Sequence, residues 1–382
     1  MSRSLQTLRR LALPAALAAA LLAGLQAARA TEAPVSLAAV ALGEADYQRV
    51  NDALVQHHVV PRYQVMAAAM AALDAAAGRY CAAPGAGTLA ALRAADEAAV
   101  DAWMGVQHLH FGPVELFMRS YRLYFWPQGR GRIAQATGEL LAAADPASLE
   151  EQHFRNASTA IQGLPALEVL LYGEGAEETP SAFRCALLTR IACNMKAMAA
   201  DIVEEWQGGK IDFARTVAEP GPDNPYFESA EEATLAFFQS LYNGLELISD
   251  ARLKPVAGAS IEKAKPALAE SRAPGRSLRN VVVNLEALQG LYEGEGGPGL
   301  GDLAVRSGAD PKLEPLLRKA FRLTVETAKG IEPPLAEAVV DPKRRKAVDK
   351  LLTQLVAIKQ ILRSRFSPAT GLPIGFNAMD GD

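Results

Sequence analysis

Aromatic residues make up only 6% of this 382-residue chain, and strict apolar–polar alternation is almost absent along it. A sheet protein, which draws on aromatic and β-branched residues at period two, is therefore not expected. Cysteine is scarce, at three residues, and histidine at five. No CxxC pair, HExxH, GxSxG or phosphate-cradling glycine loop occurs, so common zinc, serine-hydrolase and nucleotide sites have no sequence support. Positive charge is not in excess: 39 Lys and Arg stand against 43 Asp and Glu. Without a basic stripe interleaved with aromatics, nucleic acid is set aside as a partner. The one basic cluster, Lys343 to Lys346, opens a helical segment and reads as a solvated face. Beyond the first thirty residues, no apolar run is long enough to span a bilayer.

What the chain does have is apolar material, 50% of its residues, rich in Ala and Leu and spaced at three and four. That spacing predicts helices over 44–78 (with a break at Pro61), 86–110, 113–126, 131–144, 163–173, 180–207, 229–254, 277–293, 311–330 and 341–364. The fold class is all-α. A polar, proline-bearing stretch at 208–228 divides the chain after the leader into 31–215 and 216–382, each with enough long helices for a bundle. The segments 167–175 and 288–296 resemble one another, which points to duplication.

Residues 1–30 carry Arg3, Arg9 and Arg10, then an Ala/Leu run, then Ala28-Arg29-Ala30. These are the charged start, apolar middle and A-x-A exit of a signal peptide cleaved after Ala30; a membrane anchor is the competing reading. Cleavage removes four arginines and no acid, taking the net charge from −4 to about −8. In an oxidising compartment one disulfide is expected among Cys81, Cys185 and Cys193. Cys185 and Cys193 would lie about 12 Å apart along a helix, too far to bridge. The expected pair is Cys81–Cys185, with Cys193 free and buried.

Two segments hold the candidate chemistry. Trp103, Val106 and His110 share a helical face, so His110 reads as a core histidine and His108 as exposed. Glu115, two residues after Pro113, suits the first turn of a following helix, where an acid meets the helix dipole. In the second segment Leu164, Leu167 and Leu171 form one stripe, and Glu168 stands on the same face. A carboxylate there must be paired, protonated or bound to a cation, because an isolated buried charge is too costly. His57 and His58 carry no ligand spacing, and His153 lies in a polar run.

Gly163-Leu-Pro-Ala-Leu-Glu168 followed by Val-Leu-Leu-Tyr-Gly173 resembles the signature region of the imelysin family, also called peptidase family M75. Trp103 through His110-Phe-Gly-Pro113 is similar to that family's first-bundle region, and Gly371 to Asp382 resembles its tail. The resemblance implies two helical bundles, each of four helices, related by duplication, with a ligand site in the cleft between them. It also implies the periplasm and a link to iron or other metal uptake. The signature is usually written G-x-H-x-x-E; here Gly163 and Glu168 match, but Pro165 stands where the histidine would be. Proline offers no donor electrons, so the two-residue metal grip of the family cannot form.

The resulting expectation is a periplasmic imelysin-like binding protein in iron acquisition, without peptidase activity. Gly163, Pro165, Glu168, Trp103 and Arg276 would form the ligand site. Iron or another divalent cation is the candidate cofactor, with Glu168, Glu115 and His110 as its ligands. A metallopeptidase with His110 or His108 in place of the missing histidine is the alternative. An assembly factor is the third reading, docking an envelope protein at the outer or inner membrane.

Overall fold

A computed structural model describes residues 41–127 and 130–375 of the chain. The proposed leader and residues 376–382 of the tail lie outside them. The described residues contain no strand, so the fold is all-α, and no helix among them is long and apolar enough to cross a membrane. The principal helices are α1 Glu44–Leu54, α2 Val60–Ala82, α3 Ala86–Met104, α4 Arg130–Ala143, α5 Gly163–Tyr172 and α6 Ala182–Trp206. They continue as α7 Ala230–Glu246, α8 Ser277–Glu293, α9 Gly301–Ser307, α10 Leu313–Lys329 and α11 Arg344–Ile361.

Pro61 does not break the first helix. A π-turn, Val55–Val59, joins α1 to α2, and the Val60 N–H bonds the Val55 carbonyl five residues back. Proline lacks the N–H for an ordinary helical bond, and its ring would strike the carbonyl four residues earlier. One extra residue in the turn relieves that clash and lets the helix continue. The same device recurs at Leu247–Leu253 before Pro255 and at Leu362–Phe366 before Pro368.

The core of the first half is an antiparallel helix pair. Tyr63, Met66, Met70, Leu73, Ala77 and Tyr80 form one buried seam on α2, spaced alternately by three and four. Leu188, Ile191, Met195, Met198 and Ile202 form the matching seam on α6, so the two pack like a short coiled coil. A Cys81–Cys185 disulfide, with Cα atoms 5.4 Å apart, ties one end, and Tyr63 stacks on Trp206 at 6.2 Å near the other. The expected pairing is thus present. Cys193 is exposed rather than buried, because it falls off the α6 seam that holds Ile191, Asn194 and Met195.

In the second half α8 packs on α10 and α10 on α11, while α7 packs on α8 and α1. The first long helix therefore serves both groups: α1 lies on α7, and α2 lies on α3 and α6. Buried apolar residues from α1 through α11 form one continuous core.

Two predicted helices are shorter in the structure. The 86–110 segment ends at Met104. The 113–126 segment is two 3-10 turns and a five-residue helix, Arg119–Leu123, because Phe117 and Met118 both take left-handed backbone angles, with φ of 55° and 56°.

Candidate functional site

The seat of α5 is built by glycine. Gly163 has φ of 77°, and a Cβ there would overlap the backbone carbonyls of Arg122 and Leu123. Pro165 sits in the first turn, where no N–H is required. Leu164, Leu167 and Leu171 are buried as expected, which turns Glu168 to the border of the core. Glu168 forms part of the wall of an open pocket of about 510 Å³ that Arg184 and Ala273 also line. Burial pushes its carboxyl up to about 7, with the Glu270 charge adding to the rise. Hydrogen bonding from Ser271 and the Ala273 amide, and the charge of Arg276, act against that shift.

Asp96 is the second acid here and was not anticipated. It lies on α3 in a buried seam of Leu89, Leu92, Ala99 and Trp103, the same signal that singled out Glu168. Burial, then the neighbouring Glu168 charge, raises its carboxyl to about 8. Neither acid has an ion-pair partner among the described residues. Nearby groups are also left without hydrogen-bond partners there: Asp96 Oδ1, the Tyr172 hydroxyl, Trp103 Nε1 and Arg276 Nε. Groups so buried ordinarily find a partner.

Beside the acids lies a polar cluster that is largely paired, with Arg252 Nη1 and Asn280 Oδ1 left without partners among the described residues. Arg252 Nε donates to Glu270 Oε2 at 2.7 Å and its Nη2 to Glu270 Oε1 at 3.0 Å and Gln107 Oε1 at 2.7 Å. Asn280 Nδ2 donates to the same carboxylate at 3.0 Å, and the Arg252 guanidinium lies 4.8 Å from the Trp126 ring centre. Arg276 donates to Asp101, which Arg279 also grips at 2.9 Å. Ser271, beside Glu168, has φ of 44°, a strained angle for a non-glycine residue and one that clusters at ligand sites. Asp96 titrating near 8 keeps its proton at neutral pH and can donate, whereas Glu168 near 7 can take up or release one.

Five of the sequence-predicted residues meet in this region: Gly163, Pro165 and Glu168 on α5, Trp103 through its stack on Tyr124 at 6.2 Å, and Arg276 through its field on Glu168. His110 and Glu115 do not join them. They face one another, Nδ1 to Oε1 at 3.9 Å, with 46% and 40% of their side chains exposed. His110 is thus not a core histidine, because α3 ends before it. The set Glu168, Glu115 and His110 is not gathered, and no three His, Cys, Asp or Glu among the described residues group as metal ligands.

His108, expected at the surface, is buried and shares a 2.8 Å hydrogen bond between its Nε2 and His58 Nε2. His58 Nδ1 contacts Glu295 Oε2 at 2.9 Å, and Arg62 Nη2 reaches Glu295 Oε1 at 2.7 Å. A proton on His58 Nδ1 makes His58 Nε2 an acceptor for His108 Nε2–H. His108 Nδ1 is then a bare acceptor, in keeping with its lack of a partner among the described residues. Together His58 and Arg62 hold the Glu295 carboxyl down to about 2, against its burial.

Comparison with known proteins agrees with this architecture. The family model for imelysin, peptidase M75, matches residues 59–362. An iron-regulated protein A of Synechococcus elongatus is 24% identical over 319 residues, spanning 82% of this chain and 84% of that protein. The crystal structure of an imelysin-like protein from Psychrobacter arcticum superposes with a TM-score of 0.72 at 21% identity, covering 89% of this chain and all of that one. A second solved structure, from Parabacteroides distasonis, gives 0.69 at 16% identity over 85% of this chain and 97% of its own. With a family match over most of its length and the all-α fold of those structures, the chain belongs to the imelysin family.

Proposed function

We propose that this chain is an exported imelysin-type binding protein acting in iron acquisition, not a peptidase, and that Asp96 and Glu168 receive a positively charged ligand. The carrying observation is a pair of acids raised by burial that make no ion pair among the described residues and feel only the more distant charge of Arg276, beside polar atoms left without partners. Glu270 is answered by Arg252 and Asp101 by Arg276 and Arg279, which leaves Asp96 and Glu168 as the carboxyls here without an ion pair. A cation would replace the protons these two carboxyls retain, and iron carried with its own ligands is the first candidate. Two carboxylates supply too few donors for a bare ion, and Pro165 adds none. The name of the Synechococcus relative, an iron-regulated protein, and the leader-like first thirty residues support the reading.

Calorimetric titration of the protein without residues 1–30 with a positively charged Fe³⁺ chelate tests it, with bare Fe²⁺, Fe³⁺, Zn²⁺ and Cu²⁺ as controls that should bind more weakly. One equivalent of the chelate should bind, more tightly as pH rises through about 7 to 8, where Glu168 and Asp96 ionise. Glu168→Gln should weaken binding at least about tenfold, or about 1.4 kcal/mol. Binding no better than that of any acidic surface, or binding indifferent to Glu168, overturns the assignment. Metal-dependent cleavage of an unfolded protein, abolished by chelator, would restore the peptidase reading.

A further inference from the structure

A second site lies away from the acids, between α6 and the turns that precede α4. A pocket of about 750 Å³ is lined there by Arg122, Arg190, Phe117 and Met198, among others. We propose that it binds an organic carboxylate with an apolar body, the carboxylate on Arg122 and Arg190 and the body against Phe117 and Met198.

The argument starts from Arg122. Its guanidinium is held by neutral acceptors: Nε donates to Gln162 Oε1 at 3.0 Å and Nη2 to Asn194 Oδ1 at 3.1 Å. Those two amides are themselves buried and locked. Asn194 Nδ2 donates to Gln162 Oε1 at 3.0 Å, and Gln162 Nε2 to the Ala157 carbonyl at 2.9 Å. Among the described residues no carboxylate pairs with Arg122, nor with Arg190. Three of the four acids of the pocket are held by two of its other arginines. Glu205 and Asp201 serve Arg119, and Glu151 lies 3.7 Å from Arg155. Arg122, Arg190 and Lys210 remain against the exposed Glu204. Burial and the charges of Arg155 and Arg119 depress the Arg122 pKa, so an anion there would relieve a standing repulsion. A fork already oriented by neutral acceptors suits planar, bidentate recognition of a carboxylate.

The apolar half of the site is independent of the charges. Phe117 and Met118 are 74% and 58% exposed and are held outward by consecutive left-handed backbone angles. Such strain persists only where surrounding structure imposes it, and it recurs at ligand clamps. The volume falls in the range of small-molecule pockets, and Leu116, Phe154 and Ile211 add to the apolar part of a lining that is otherwise charged.

Titration of the full mature protein with octanoate, phenylacetate and inorganic phosphate, followed by calorimetry, tests the proposal. Octanoate or phenylacetate should saturate at one equivalent and bind about tenfold more tightly than phosphate. Arg190→Gln and Phe117→Ala should each weaken that binding about tenfold, with an unchanged melting curve showing that the fold is intact. Arg122→Gln should weaken it further, and Arg190→Gln should leave cation binding at Glu168 as it was. Saturation by neither organic acid, phosphate binding as tight as theirs, or affinity unchanged in Arg190→Gln would each overturn the proposal.

Discussion

Asp96 shows how one residue can set the alkaline behaviour of the protein. Its ordinary carboxyl value is 3.8, and burial raises it to about 8 in the folded chain. Between these values the folded state holds a proton that the unfolded state has lost, so the contribution of Asp96 to stability falls as pH rises from about 4 through about 8. Glu168, raised to about 7, adds the same sign over its own interval. Asp96→Asn keeps the shape and cannot ionise. Its melting temperature should exceed that of the parent by a few degrees at about pH 8.5 and differ least near pH 5, which scanning calorimetry would show. An Asp96→Asn variant with no gain over the parent at about pH 8.5 would contradict the assignment. The acid was legible before the structure, since it interrupts an apolar seam on α3 just as Glu168 does on α5. The buried ion pair near the site was not. Glu270 and Arg252, 18 residues apart, show no local spacing, and His108 was misplaced because α3 ends at Met104.

At the level of single elements, proline and glycine decide more than apolar spacing does. Three π-turns let helices run on past Pro61, Pro255 and Pro368, where a break is the ordinary outcome. The apolar period survives such a turn, so spacing alone does not reveal it. The start of α5 depends on Gly163, whose left-handed angle and close approach to two carbonyls admit no side chain. Gly163→Ala should cost about 3 kcal/mol or more, combining strain with displacement of the Arg122–Leu123 backbone. A urea-unfolding midpoint lowered in proportion would show it, and a change of only a few tenths would refute the stated packing. The antiparallel pair α2 and α6 depends likewise on its tie. The Cys81–Cys185 bridge closes a separation of 104 residues, and removing it by Cys81→Ser with Cys185→Ser should cost roughly 2–5 kcal/mol, read from the same unfolding curve.

The whole molecule sums these local terms into a pH profile. Burial lowers the pKa of His58 and lowers that of His108 well below 6.5. On acidification the unfolded chain takes up protons at these positions before the folded chain does, so their contribution is intact above about 6.5 and is lost below it. Below about pH 6.5 the histidines offset the opposite slope of Asp96 and Glu168, so net stability from these groups should fall mainly between about 6.5 and 8. Melting temperatures measured from about pH 5 to 9 would trace this profile, and in His108→Phe the fall with rising pH should already begin below about 6.5. The all-α class, the helix cores, the family resemblance and the choice of Cys81 with Cys185 were all readable from the residues in order. Apolar spacing encodes which face of a helix is buried, and a signature motif encodes ancestry. The meeting of Asp96, Glu168 and Arg276, the His58–His108 contact, and the separation of His110 and Glu115 from Glu168 were decided by tertiary structure alone. Each depends on which buried face packs against which other, and spacing along one helix carries no information about its partner.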